Sequence, residues 1–174
     1  MKYQDFIQNK AIKQVMCGHD PSFIPSMLFD FQRDIVAWAI RKGRAAIFAD
    51  CGMGKTPMQL SWARDVCNHT KQDVLILAPL AVSKQTRLEG EKFGINVTIC
   101  ESQDDVRPGI NITNYEKIHH FNTDHFVGVV LDESSIIKHA TSKTRDLLID
   151  LFRLIIRIVS ALEAAVLGHR RHIN

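Results

Sequence analysis

Residues 49–56 read Ala-Asp-Cys-Gly-Met-Gly-Lys-Thr, after the apolar run Ala45-Ala46-Ile47-Phe48 and before a segment of helical periodicity. The order is strand, glycine-bearing turn and helix start. Gly52 and Gly54 flank Met53 and let the backbone curl, so that successive N–H groups point inward at phosphate oxygens. Lys55 is placed to reach β- and γ-phosphates, and the Thr56 hydroxyl to ligate Mg²⁺. The dipole of the following helix adds positive potential at the same spot. A nucleoside triphosphate with Mg²⁺ is the expected ligand, although the general phosphate-loop pattern has a glycine where Ala49 stands.

The chain around this loop has 174 residues, 45% hydrophobic and 24% charged, which suits one domain with a proper core and argues against wholesale disorder. A formal charge of +3, with the charges interspersed, permits a nucleic-acid surface without demanding one. Cys17, Cys51, Cys67 and Cys100 show no paired spacing, so they read as buried or incidental thiols of a cytoplasmic protein. Cys17-Gly-His19 would be half a metal site without a second half. The start Met-Lys-Tyr-Gln-Asp is no signal peptide, and no apolar run approaches the roughly 18 residues of a membrane span.

Residues 1–27 read as an arm, a short helix plus an irregular stretch punctuated by Pro21 and Pro25. From Leu28 to Arg41 the spacing of Phe31, Ile35, Trp38 and Ala39 predicts an amphipathic helix. Strands and helices then alternate: a strand over 45–49, a helix over 56–68 burying Leu60, Ala63 and Val66, and a continuous apolar strand over 73–78. A helix near 83–93 follows, then strands over 95–99 and 110–113, a helical turn over 115–120 and a fully apolar strand over 127–131. Runs apolar on both faces suit strands covered by helices on each side, a parallel α/β sheet. Residues 143–167 carry neither Gly nor Pro and read either as one long helix or as a helix to Phe152 with a strand over 154–159. Gly168 to Asn174 looks like a solvated end.

A second chemical site is Val129-Val130-Leu131-Asp132-Glu133, two acids at the end of a buried strand about 80 residues after Lys55. Open α/β sheets place ligands there. In phosphate-loop enzymes such an aspartate holds Mg²⁺ through water, and an adjacent glutamate polarises the attacking water. Upstream, in Leu28-Phe29-Asp30-Phe31-Gln32-Arg33, the Gln32 amide can pair with adenine N6 and N7 while Phe29 stacks on the base. The same Gln32 could equally be a surface residue of the amphipathic helix.

Three weaker segments follow. Pro79, Leu80, Ser83 and Lys84 leave a strand and enter a helix, offering amides and a hydroxyl to a phosphodiester; Thr113-Asn114-Tyr115 repeats the arrangement after a later strand. Both are also ordinary helix starts. Ser134 to His139 continues directly from the acid pair, and His119-His120 reads as a solvated pair.

Taken in order, Gln32, residues 49–56, 78–85, 113–117 and 132–135 resemble the first, ATP-binding lobe of superfamily 2 DEAD/DEAH-type helicases and translocases. The run from Leu131 to Arg145 is similar to the Swi/Snf-like branch, phage-encoded members above all. The Ala-x-x-Gly-x-Gly-Lys-Thr form of the phosphate loop is that of helicases. The resemblance covers about residues 28–150 and implies a RecA-like phosphate-loop (Walker A) domain over 28–153, three layers with a mainly parallel sheet. It implies that ATP is bound through Phe29, Gln32, Gly52, Met53, Gly54, Lys55 and Thr56. Mg²⁺ would be held by Thr56 and Asp132, with Lys55, Asp132 and Glu133 catalytic. Pro79, Leu80, Ser83, Lys84, Thr113, Asn114 and Tyr115 would meet DNA, with RNA also open.

The family's next motif should follow Phe152, yet Leu162 stands where a threonine is expected after Ser160-Ala161, and the second lobe with its arginine fingers is missing. The expectation is half a motor, with 154–174 an atypical, frame-disrupted tail and a second lobe supplied by another polypeptide. Two other classes stay open: a non-motor nucleotide-binding module that regulates a partner, and a small-molecule phosphate-loop kinase.

Overall fold

The computed structural model describes Met16, residues 18–50, 52–132 and Asp146. The readings made for residues 1–15, Cys51, Glu133, the segment after it and the 154–174 tail lie outside the described residues.

The alternation along the chain produces helix α1 (Asp30–Lys42), helix α2 (Lys55–Thr70), strand β1 (Asp73–Leu77), helix α3 (Leu80–Lys92) and strands β2 (Val97–Ile99), β3 (Ile110–Thr113) and β4 (Phe126–Leu131). A 3₁₀ turn spans Tyr115–His120. The four strands form one sheet in the order β2-β3-β1-β4, and every pairing is parallel. Because side chains alternate across a strand, β1 serves two cores. Val74 and Ile76 face a cluster with Val36, Ala39, Leu60 and Ala63 of α1 and α2. Leu75 and Leu77 face Tyr115, Ile118, Phe121, Phe126 and Leu131, so among the described residues the second face is covered by the 115–126 segment. Gly128 in β4 leaves the space that the Trp62 ring fills; a Cβ there would sit 3.1 Å from it.

Two expectations change. α1 turns a different face inward: Gln32, Val36, Ala39 and Ile40 are buried, whereas Phe31 and Trp38 are exposed. The polar Gln32 side chain is bonded inside the molecule, on the same inward face as Val36, Ala39 and Ile40. The run over 45–49 carries only a bridge residue at Ala46. Its burial alternates as in a strand, with Ala45 in the core and Phe48 exposed, but a strand needs a neighbour in register, and none of the four strands forms a ladder with it.

Candidate nucleotide site

Gly52 and Gly54 hold φ values of 81° and 72°, which only glycine adopts without strain. The Met53 N–H donates to the Asp50 carbonyl at 3.3 Å and closes the turn. Gly54 is the N-cap of α2, and no side chain caps that helix start. The first amides of α2 therefore face outward with the positive end of the helix dipole, an anion-binding arrangement. Pro57 falls in the first turn, where its lack of an N–H breaks no helical bond. Lys55, half-buried, lies back across the loop with Nζ 3.4 Å from the Ala49 carbonyl.

Gln32 is 4% exposed. Its Oε1 accepts from the Phe29 N–H at 3.0 Å, the return half of a capping box in which Phe29 is N-cap and Gln32 is N3. Its Nε2 donates to the Met53 carbonyl at 2.9 Å, inside the glycine turn. Gly54 is compulsory for a second reason: a Cβ there would lie 2.3 Å from Gln32 Nε2. Phe29, the expected stacking ring, is 70% exposed and stacked on Phe31 at 6.2 Å.

Asp132 follows β4 directly and is 8% exposed. Three groups converge on it. Its N–H donates to the Leu77 carbonyl at 2.8 Å. Its main-chain oxygen accepts from the Tyr115 hydroxyl at 2.6 Å. Its Oδ2 accepts from Gln59 Nε2 at 3.5 Å. Gln59 stands three residues after Thr56 on α2, hence on the same helix face. The carboxylate is thereby held against α2, the helix whose first turn carries Thr56. Two protein ligands are what Mg²⁺ asks for when phosphates supply others. Among the described residues no group of three His, Cys, Asp or Glu side chains could hold a metal, His119 and His120 included. Burial pushes the Cys67 thiol up to about 12, with the Asp73 charge adding to it, and burial with the Asp105 charge pushes Cys100 up to about 11. Cys100 is buried and Cys67 half-buried, and thiols raised in this way are poor nucleophiles.

Of the residues expected on a nucleic-acid face, Leu80 (66% exposed) and Lys84 reach the surface and Pro79 is half-buried. Ser83, Thr113, Asn114 and Tyr115 are buried. Ser83 Oγ lies 3.5 Å from the Pro79 carbonyl, and the Asn114 side chain caps the following turn by accepting from the Lys117 N–H. These four lie beneath the surface they were expected to form.

Sequence reasoning missed the Gln59–Asp132 bond and the fastening of the arm. Asp65 of α2 accepts from the Ser22 N–H (2.9 Å), the Ser22 hydroxyl (2.6 Å) and the Phe23 N–H (3.0 Å), and pairs with His19 at 2.9 Å. Burial raises the Asp65 pKa, but these bonds outweigh it and hold the carboxyl below its ordinary value. An acid spaced like any helix surface residue is the only signal the sequence carries for it.

No family model matches the chain, and no curated protein matches it at a significant level. Solved structures do. The UvsW helicase of bacteriophage T4 superposes with a TM-score of 0.67 at 14% identity, over 94% of this chain and 61% of that one. The SWI2/SNF2 ATPase core domain of Sulfolobus solfataricus superposes with a TM-score of 0.64 at 18% identity, over 85% and 34%. The same core in complex with dsDNA gives 0.61 at 19% identity, over 83% and 34%. The chain shares the RecA-like α/β fold of those proteins. This chain spans between about a third and three fifths of the length of those proteins. No helix among the described residues is long and apolar enough to cross a membrane.

Proposed function

We propose that the chain is the ATP-binding lobe of an ATP-dependent DNA helicase or translocase of the phage-encoded, Swi/Snf-like type. The observation that carries this reading is the Gln59–Asp132 bond, which brings the acid at the end of β4 to the helix that begins with Lys55 and Thr56. Positive-φ glycines, a helix start without a side-chain cap and an acid bonded to the same helix suit Mg·ATP. Bound Mg²⁺ supplies charge neutralisation at the β- and γ-phosphates. Lys55 pairs with the same phosphates, Thr56 and Asp132 hold the ion, and Gln32 with Phe29 reads and stacks on adenine. Glu133, covalently next to Asp132, takes the proton of the attacking water.

Pro79, Leu80 and Lys84, where α3 begins, are the surface for a nucleic-acid backbone, supported by the dsDNA complex of a structural neighbour. In the family resemblance a second lobe supplies arginine fingers, worth about 10³–10⁵ in rate, so this lobe alone turns over slowly. The test is a fusion that restores a second lobe. DNA-stimulated ATP hydrolysis that falls by roughly 10²–10⁴ in Glu133→Gln supports the assignment. Turnover at the wild-type rate in that variant contradicts it.

A further inference from the structure

At the carboxyl end of the sheet the strand exits are tied in a closed circuit. The Ala78 N–H donates to the Thr113 carbonyl at 3.0 Å, joining the exits of β1 and β3. The Asp132 N–H donates to the Leu77 carbonyl at 2.8 Å, joining β4 to β1. The Tyr115 hydroxyl, reaching back from the turn that follows β3, donates to the Asp132 carbonyl at 2.6 Å and closes the ring. Tyr115 is 4% exposed and packed with Leu77, Ile118 and Leu131, so its ring has little room to swing alone.

The circuit joins surface to site. Ala78 leads directly into Pro79 and Leu80 at the start of α3. Tyr115 opens a 3₁₀ turn whose outer side carries Glu116, His119 and His120. A load on either exit reaches the Asp132 main chain through hydrogen bonds, and a small rotation there moves the carboxylate that Gln59 also holds.

We infer that Tyr115 is a positioning residue that couples occupancy of the nucleic-acid surface to the placement of the Asp132 carboxylate. The inference rests on the nucleotide and DNA reading above. It gives the buried tyrosine a role the sequence did not suggest, since Tyr115 transmits and does not itself touch the nucleic acid. Linkage makes the coupling measurable as the factor by which one ligand changes the affinity of the other, typically about 5–150-fold between coupled sites, and identical in both directions.

The experiment uses the 174-residue chain, a fluorescent non-hydrolysable ATP analogue with Mg²⁺, and a duplex DNA oligonucleotide. Analogue affinity is measured with and without saturating duplex, for wild type and for Tyr115→Phe, which removes only the hydroxyl. The expected result is a coupling factor of about 5 or more in wild type that falls to about 1 in Tyr115→Phe. A general loosening would shift both affinities together and leave their ratio in place. If Tyr115→Phe melts well below wild type, both proteins are measured at a temperature where the variant is folded, and an unchanged coupling factor there overturns the inference. Wild-type coupling retained in Tyr115→Phe, or a wild type that binds both ligands independently, overturns the relay while leaving the nucleotide reading intact. A wild type that does not bind the analogue overturns both.

Discussion

The side-chain nitrogen of Gln32 donates to the carbonyl of Met53 at 2.9 Å, so the first turn of α1 is pinned to the glycine turn ahead of α2 by the residue expected to read the base. Its oxygen is engaged as well, by the Phe29 N–H. Adenine recognition through N6 and N7 requires the amide to exchange these partners, so base choice and loop geometry share one side chain. Gln32→Ala should weaken ATP binding and flatten the preference for ATP over GTP, a discrimination of about 1–3 kcal/mol for a bidentate amide–base pair. Competition titrations with both nucleotides check this; an unchanged preference would leave Gln32 as a strut alone.

Gly54 tests the same contact from the other side. Gly54→Ala meets a left-handed backbone, which costs about 1–2 kcal/mol, and drives a methyl into Gln32 Nε2 at 2.3 Å. Gly52→Ala meets a similar φ but open space. Denaturant unfolding should rank Gly54→Ala as clearly the more destabilised. Equal losses would mean that the Gln32 contact adds nothing.

Asp65 makes stability depend on acid. Its carboxyl is held below the ordinary value in the folded chain, so the unfolded chain binds the proton more readily. Its contribution is therefore complete above about pH 4 and is lost as pH falls through the lower folded value. Asp65→Asn should cost about 1.5–3 kcal/mol, the worth of hydrogen bonds to a charged group, and should flatten the acid limb of stability. Hydrogen exchange should show the amides of Ser22 and Phe23 losing protection. Retained protection would show that the arm is held by other contacts.

Gln59→Met keeps the length of the side chain and removes the donor to Asp132. Asp132→Asn keeps the shape and removes the charge. Both should raise the Mg²⁺ concentration needed for tight ATP binding, Asp132→Asn by more because it removes a ligand. Isothermal titrations across a Mg²⁺ series give the comparison, and identical curves for all three proteins would remove Asp132 from the metal site.

Much of the sheet was legible because β1 and β4 are apolar on both faces, a pattern that only strands covered on each side produce. The glycine turn ahead of α2 was legible because Gly52 and Gly54 stand just before Lys55 and Thr56. The rotation of α1 was not, because Phe31 and Trp38 outweigh Gln32 in any hydrophobic count, yet the amide has a partner, Met53, 21 residues away that no local pattern reveals. Asp65 escaped for the same reason, its partners lying 42 to 46 positions earlier. Thr113, Asn114 and Tyr115 have the composition of a binding loop, and burial is decided by which segment crosses the second face of the sheet. The run over 45–49 has a strand's alternation without a ladder among the four strands, and pairing is a property of neighbours.

The most direct test is a calorimetric titration of Mg·ATP into the chain and into Lys55→Ala. Alanine is a good helix former, and among the described residues the Lys55 contact is a long one, 3.4 Å to the Ala49 carbonyl. The variant should therefore keep its melting temperature and lose most of its affinity for ATP. Equal affinities for the two proteins would contradict the assignment of residues 49–56 as a phosphate loop.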